Sequence, residues 1–112
     1  MRVPRDSGRR GWGADMMTYW MLDGTTVKRC PDLETWMLWM SRARRQVNRT
    51  VVGEVLVSTV FTGIDSGGLE SSPRVFETMV FDPDRGRRGF RYCTWQEAVE
   101  GHKQACDEVR NG

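Results

Sequence analysis

Histidine occurs once in this 112-residue chain, cysteine three times and proline four times, and no long apolar run is present. Each scarcity excludes something. A lone His102 leaves no second imidazole for a histidine-rich metal site or a His-paired relay. Cys30, Cys93 and Cys106 are odd in number, widely spaced and without a Cys-x-x-Cys pair, which argues against a disulfide framework and for reduced thiols in a cytoplasm. No stretch approaches the roughly 20 apolar residues of a membrane-spanning helix. The N-terminus has arginines but no apolar h-region, so no secretory signal is expected.

What is present describes one folded domain. Hydrophobic residues at 38% against 29% charged set the chain apart from disordered sequences. The net charge of +2 comes from Met1–Asp15, where Arg2, Arg5, Arg9 and Arg10 outnumber Asp6 and Asp15. That stretch lacks periodicity and reads as a flexible Arg/Gly-rich tail ahead of a single domain over 16–112. The remainder is electrically neutral, a poor basis for binding phosphate backbones without sequence preference.

Along the chain, Asp23-Gly24 separates two strand-like runs, Thr18–Leu22 and Thr25–Arg29, as a hairpin turn would. A helix is expected over Pro31–Val47, with Asp32 as its N-cap and Leu33, Trp36, Met37, Met40, Ala43 and Val47 on its buried arc. Strands follow at Arg49–Val52, Glu54–Phe61 and Arg74–Phe81. Asp82–Arg91 reads as a charged turn. The last helix is announced by a capping box, Thr94-Trp95-Gln96-Glu97, and buries Trp95, Ala98, Val99, His102, Ala105, Cys106 and Val109. The expected fold is α+β, in the order ββαβββα: an antiparallel sheet of about five strands with two amphipathic helices on one face. Glu54–Phe61 and Arg74–Phe81 are apolar on both sides of their alternation. A sheet with one watered face should not be. The second face is therefore either covered within the chain or an interface.

No catalytic constellation emerges. His102 on a buried arc reads as a core histidine or, with less support, as a general base. Glu77 among apolar strand neighbours and Asp65 at a strand end are the carboxylates that could accompany it. Cys93 precedes a helix start and could be activated there. The glycine-rich Gly63–Pro73 matches neither GxGxxG nor a P-loop. No metal or other cofactor is expected. Leu38 and Trp39 could form a partner surface. Arg42, Arg44, Arg45 and Arg49, with Arg85, Arg87, Arg88 and Arg91 around Phe90, could form a basic patch for single-stranded nucleic acid if the two clusters share one face.

At Val57–Asp65 (VSTVFTGID), Phe76–Phe81 (FETMVF) and Arg91–His102 (RYCTWQEAVEGH) the chain resembles a widespread group of small phage-encoded proteins of unknown function. Members of that group often carry leucine where Thr62 stands and histidine where Ser66 stands. The resemblance implies a viral product working in a bacterial cytoplasm and assigns no site. Three functions are compatible with these readings: a non-enzymatic module binding a host protein or a second copy of itself, a small nucleic-acid-binding protein, and a small enzyme built on His102 and Glu77.

Overall fold

The computed structural model describes residues 17–65 and 72–112; the expected flexible tail and most of the glycine-rich loop lie outside them. Among the described residues it is an α+β fold of antiparallel strands and two helices. Strands β1 (Thr18–Asp23) and β2 (Thr26–Cys30) form the first hairpin, with Gly24 at φ 64° in its turn. Helix α1 (Leu33–Met40) follows. Then come β3 (Gln46–Val52), β4 (Val55–Phe61), the two-residue β5 (Ile64–Asp65), β6 (Phe76–Asp82) and β7 (Gly86–Tyr92). Helix α2 (Trp95–Asn111) closes the chain.

The expected single sheet of about five strands is corrected. There are two sheets, ordered β2-β1-β5 and β3-β4-β6-β7. Nor do the helices share one sheet: α1 packs on β1 and β2, and α2 lies across β3, β4, β6 and β7. The division occurs at Gly63. There the chain leaves β4 with φ 75°, and two residues later pairs with β1, where Thr18 faces Asp65. A Cβ on Gly63 would stand 2.9 Å from Trp36 Nε1, 3.0 Å from the Trp20 carbonyl and 3.2 Å from the Phe61 ring. Only glycine fits both the backbone angle and the space.

The first helix is shorter than its periodicity implies. Asp32 does cap it, accepting from the amides of Glu34 and Thr35. It ends at Met40, and the residues placed on its last turns feed β3 instead. Trp36 and Trp39 are its inward anchors. Trp36 Nε1 donates to the Trp20 carbonyl at 3.0 Å and its ring meets Tyr19 at 5.0 Å, while Trp39 stands edge-on to Phe61 at 5.8 Å. Leu33 and Met37, expected inside, are 47% and 58% exposed.

The capping box on α2 is complete: the Glu97 amide donates to Thr94 Oγ1, and the Thr94 amide donates to the Glu97 carboxylate. Ala98, Gly101, His102, Ala105 and Cys106 are buried against the four-stranded sheet, whereas Val99 is exposed. Beneath them lie Val57, Phe61, Phe76, Thr78 and Val80. Gly101 is where the helix comes closest, since a Cβ there would stand 2.2 Å from the Tyr92 ring. Alanine normally improves a helix interior by about 1 kcal/mol over glycine. Gly101→Ala is nonetheless expected to lose roughly 1–3 kcal/mol through overpacking. Urea denaturation checks this, and the loss should shrink in a Tyr92→Leu background.

No helix among the described residues is long and apolar enough to cross a membrane.

Candidate interaction surface

His102 sits at the centre of a hydroxyl chain. Its Nδ1 is 2.7 Å from Thr59 Oγ1 and its Nε2 is 2.8 Å from Thr50 Oγ1. Thr59 in turn shares a short hydrogen bond with Thr78. The three threonines come from β3, β4 and β6, so one imidazole ties α2 to three adjacent strands. The side chain is 3% exposed, and burial holds its pKa below the ordinary value. A hydroxyl beside an imidazole has the geometry of a nucleophile and its base. Here the third group is the neutral Thr59 rather than a carboxylate, so an imidazolium would lack the negative partner that such a relay supplies. Both ring nitrogens are occupied, and the arrangement is that of a polar core crosslink.

The carboxylates considered as its companions are elsewhere. Glu77 alternates with the inward-facing Phe76 and Thr78, so it lies on the opposite face of the sheet from His102. It faces Arg91 across the β6–β7 ladder at 3.8 Å. Asp65 is buried in β5, in the other sheet. The proposed activation of Cys93 by a helix start is not met: partial burial and the neighbouring Glu97 carboxylate push its thiol pKa up. Its amide donates to that carboxylate at 2.9 Å. Cys30 and Cys106 are buried. Iodoacetamide at pH 7.5 should therefore modify Cys93 alone, several-fold more slowly than a free thiol. Mass spectrometry of the quenched reaction would read this, and rapid labelling of Cys93 would contradict the raised pKa.

The surface residues separate into three places. Leu38, 58% exposed, lines a concavity of about 380 Å³ on α1 with Trp39 and Arg42. Trp39 contributes mainly to the core through Phe61. Arg45 is drawn inward, its Nη1 donating to the Phe61 carbonyl at 3.4 Å. Arg85 and Arg88 line a second concavity together with Asp82, Asp84 and Glu108, so their charge is locally balanced. Arg87 stands on neither: it occupies the far side of the four-stranded sheet. Arg42 and Arg45 precede the start of β3, and Arg85–Arg88 surround the start of β7. The register places these at opposite edges and opposite ends of the sheet. At about 4.8 Å per strand and 3.3 Å per residue, more than roughly 20 Å separates them.

The far side of that sheet answers the question raised by the two-sided apolar strands. α2 covers one side, and no described element packs on the other. Strand register arranges its side chains in three rows. Val51, Leu56, Phe81 and Arg87 form the first, Arg49, Ser58, Met79 and Gly89 the second, and Gln46, Val60, Glu77 and Arg91 the third. Val51 is 59% exposed, and Leu56, Val60, Met79 and Phe81 are half-buried. Gly89 lets Met79 lie flat, since a Cβ there would stand 3.0 Å from the sulfur. Leu56 and Phe81 also line a shallow concavity of about 320 Å³ with Pro83, Gly86 and Arg87, and Glu54 and Asp82 stand in the same lining. Arg49, Arg87 and Arg91 edge this apolar ground, and Glu77, Glu54 and Asp82 offset their charge.

Among the described residues, no group of three or more His, Cys, Asp or Glu side chains is placed to hold a metal ion. No family model, curated protein or solved structure matches the chain.

Proposed function

We propose that this chain is a non-enzymatic protein–protein interaction module whose contact surface is the open face of the β3-β4-β6-β7 sheet. The observation that carries the reading is the row Val51-Leu56-Phe81 with Met79 beside it: contiguous apolar side chains on which no described element packs. Contiguous exposed apolar ground rimmed by polar groups is a feature of partner surfaces. His102 lines a concavity of about 360 Å³ with Thr50, but both its ring nitrogens are held by threonines and it lies on the opposite face of the sheet from Glu77, which supports a binding role over an enzymatic one. Of the two arginine clusters only Arg49, Arg87 and Arg91 share the open face, where Glu54, Asp82 and Glu77 offset them, and this gives a nucleic-acid role little support. With the resemblance to phage-encoded proteins, the reading becomes a viral product that modulates a host process by binding a host protein.

The test compares wild type with Leu56→Ser/Phe81→Ser in capture from a bacterial lysate. Both proteins are first shown to have matching circular dichroism and melting curves. A protein retained by wild type and at least about tenfold depleted from the variant is the expected result, because interface energy concentrates in a few central apolar residues. Equal retention would remove the face as the contact surface.

A further inference from the structure

The hydrogen bonds around His102 run in one direction, and that direction leaves one proton over. Thr78 is fully buried, and its hydroxyl meets only Thr59 Oγ1 among the described residues. Were Thr59 to donate to Thr78, the Thr78 proton would be sealed in the core without an acceptor. Thr78 therefore donates to Thr59, and Thr59 donates to His102 Nδ1 at 2.7 Å. A nitrogen that accepts carries no proton of its own. At neutral pH burial keeps the imidazole uncharged, so its proton sits on Nε2, which donates to Thr50 Oγ1 at 2.8 Å. The Thr50 proton is the one left over. Thr50 is half-buried and lines the concavity of about 360 Å³ between β3 and α2, so its hydroxyl is a donor at the edge of that space.

The other polar groups of the concavity are committed in the same sense. Asn48 Oδ1 accepts from the Arg49 amide at 2.8 Å, which leaves the Asn48 side-chain NH2 unused. Lys103 and Arg110 bring only donors, and Arg110 uses one of them on Asp107, outside the lining. Glu100 is the one carboxylate in the lining, and its Oε2 accepts from Gln96 Nε2 at 2.9 Å. Acceptors are thus engaged by the protein's own groups while donors remain. We infer that this concavity binds a small oxyanion, a carboxylate or phosphate group, with the Thr50 hydroxyl as its inner donor and Asn48, Lys103 and Arg110 at the exposed rim. Charge is near balance there, since Glu100 and Asp107 offset Lys103 and Arg110; the unused donors are what select an acceptor-rich ligand. The volume lies at the small end of ligand clefts, roughly 300–1,000 Å³. The concavity is on the helix side of the sheet, so its occupancy does not depend on a partner at the open face.

NMR on the full chain tests this in two steps. With a single histidine in the sequence, a long-range proton–nitrogen correlation reads the tautomer directly. Protonated Nε2 and bare Nδ1 are expected at neutral pH; a proton on Nδ1 would overturn the inference. Backbone amide shifts are then followed during titration with sodium phosphate and with sodium acetate, against sodium chloride at matched ionic strength. Saturable shifts centred on Asn48, Thr50 and Lys103 are expected with at least one oxyanion and not with chloride, and the tighter of the two identifies the ligand group. Affinity should fall about tenfold in Thr50→Val, as for loss of one hydrogen bond to a charged group, and be retained in Thr50→Ser. Shifts that drift without saturation in all three salts, an adventitious ion only, would overturn the site. So would saturation that Thr50→Val leaves unchanged. Lys103→Met alters one exposed side chain and should lower affinity about threefold or more, so the titration stays decisive if Thr50→Val does not fold; equal affinity in that variant would overturn the site.

Discussion

Replacing Gly63 by alanine is expected to destabilise the protein by about 2–5 kcal/mol. That range combines the cost of a left-handed backbone for a residue bearing a Cβ, about 1–2 kcal/mol, with that of overpacking, about 1–3 kcal/mol. The packing part arises because the new carbon enters the space between Trp36 Nε1, the Trp20 carbonyl and the Phe61 ring. It would also press on the hydrogen bond from that indole to that carbonyl, which joins α1 to β1 at 3.0 Å. The Trp20 amide donates to the Gly63 carbonyl at 2.8 Å, so backbone movement to relieve the contact would strain the junction of the two sheets. Gly53 supplies an internal control. It has φ 64° in the β3–β4 turn, but nothing lies within 4 Å of its Cβ position. Gly53→Ala should therefore show the backbone cost alone. Urea denaturation of both variants at neutral pH isolates the packing contribution as their difference. Equal losses would mean that the inter-sheet junction is not close-packed.

Gly63 also shows why the two-sheet architecture is hard to read from residues. A glycine after a strand-like run suggests a turn, and Gly63–Pro73 reads as one long loop. What makes it a sheet junction is the pairing of Ile64 and Asp65 with β1, more than forty residues earlier in the chain. The first helix fails for a related reason. Ala43 and Val47 continue its period, but Thr50, Val51 and Val52 belong to a run whose ladder with β4 begins at Gln46. Tertiary pairing overrides a weak local preference there. Strand β7 fails through composition. Gly86, Arg87, Arg88 and Gly89 are turn-like and charged, yet they pair along the whole of β6. An edge strand rich in charge and glycine is protected from joining other chains, and that protection makes it look like a loop.

Where sequence and structure agree, a local rule suffices. The capping box of α2 and the Asp32 cap of α1 depend on residues two or three apart. The burial of Val57, Thr59 and Phe61 follows from alternation, and Gly101 marks a close approach because glycine in a helix otherwise costs stability. The open face is legible in half. That β4 and β6 are apolar on both sides is plain from residues 55–61 and 76–81. That Arg49, Arg87 and Arg91 accompany them, and that Arg42 and Arg85 do not, depends on register, bulge and strand order. None of these leaves a pattern in the chain.

His102→Ala should be strongly destabilising, at about 2–5 kcal/mol for the cavity and the lost hydrogen bonds together. The imidazole serves Thr50 and Thr59, so its loss removes a hydrogen bond from two strands at once, leaving Thr59 with Thr78 alone and the half-buried Thr50 hydroxyl without its imidazole partner. Wild type should also carry a pH signature that the variant lacks. Burial lowers the pKa of His102 in the folded state, so below its ordinary value of 6.5 the unfolded chain binds a proton that the folded chain does not. Stability is thus fully present above about pH 6.5 and declines as pH falls toward the folded-state pKa. The slope is bounded by about 1.4 kcal/mol per pH unit for one proton. Asp32, the α1 cap, has its pKa lowered by the Thr35 hydroxyl and amide, and its contribution is lost only below its ordinary value of 3.8. The interval from pH 7.5 to 5.5 therefore isolates the histidine. Urea midpoints across that interval should fall in wild type and stay level in His102→Ala and His102→Gln. The glutamine variant, which keeps a donor and an acceptor, should retain more stability than the alanine. A level wild-type profile would mean that the imidazole accepts a proton in place as readily as in the unfolded chain, with solvent reaching it through the concavity that it and Thr50 line.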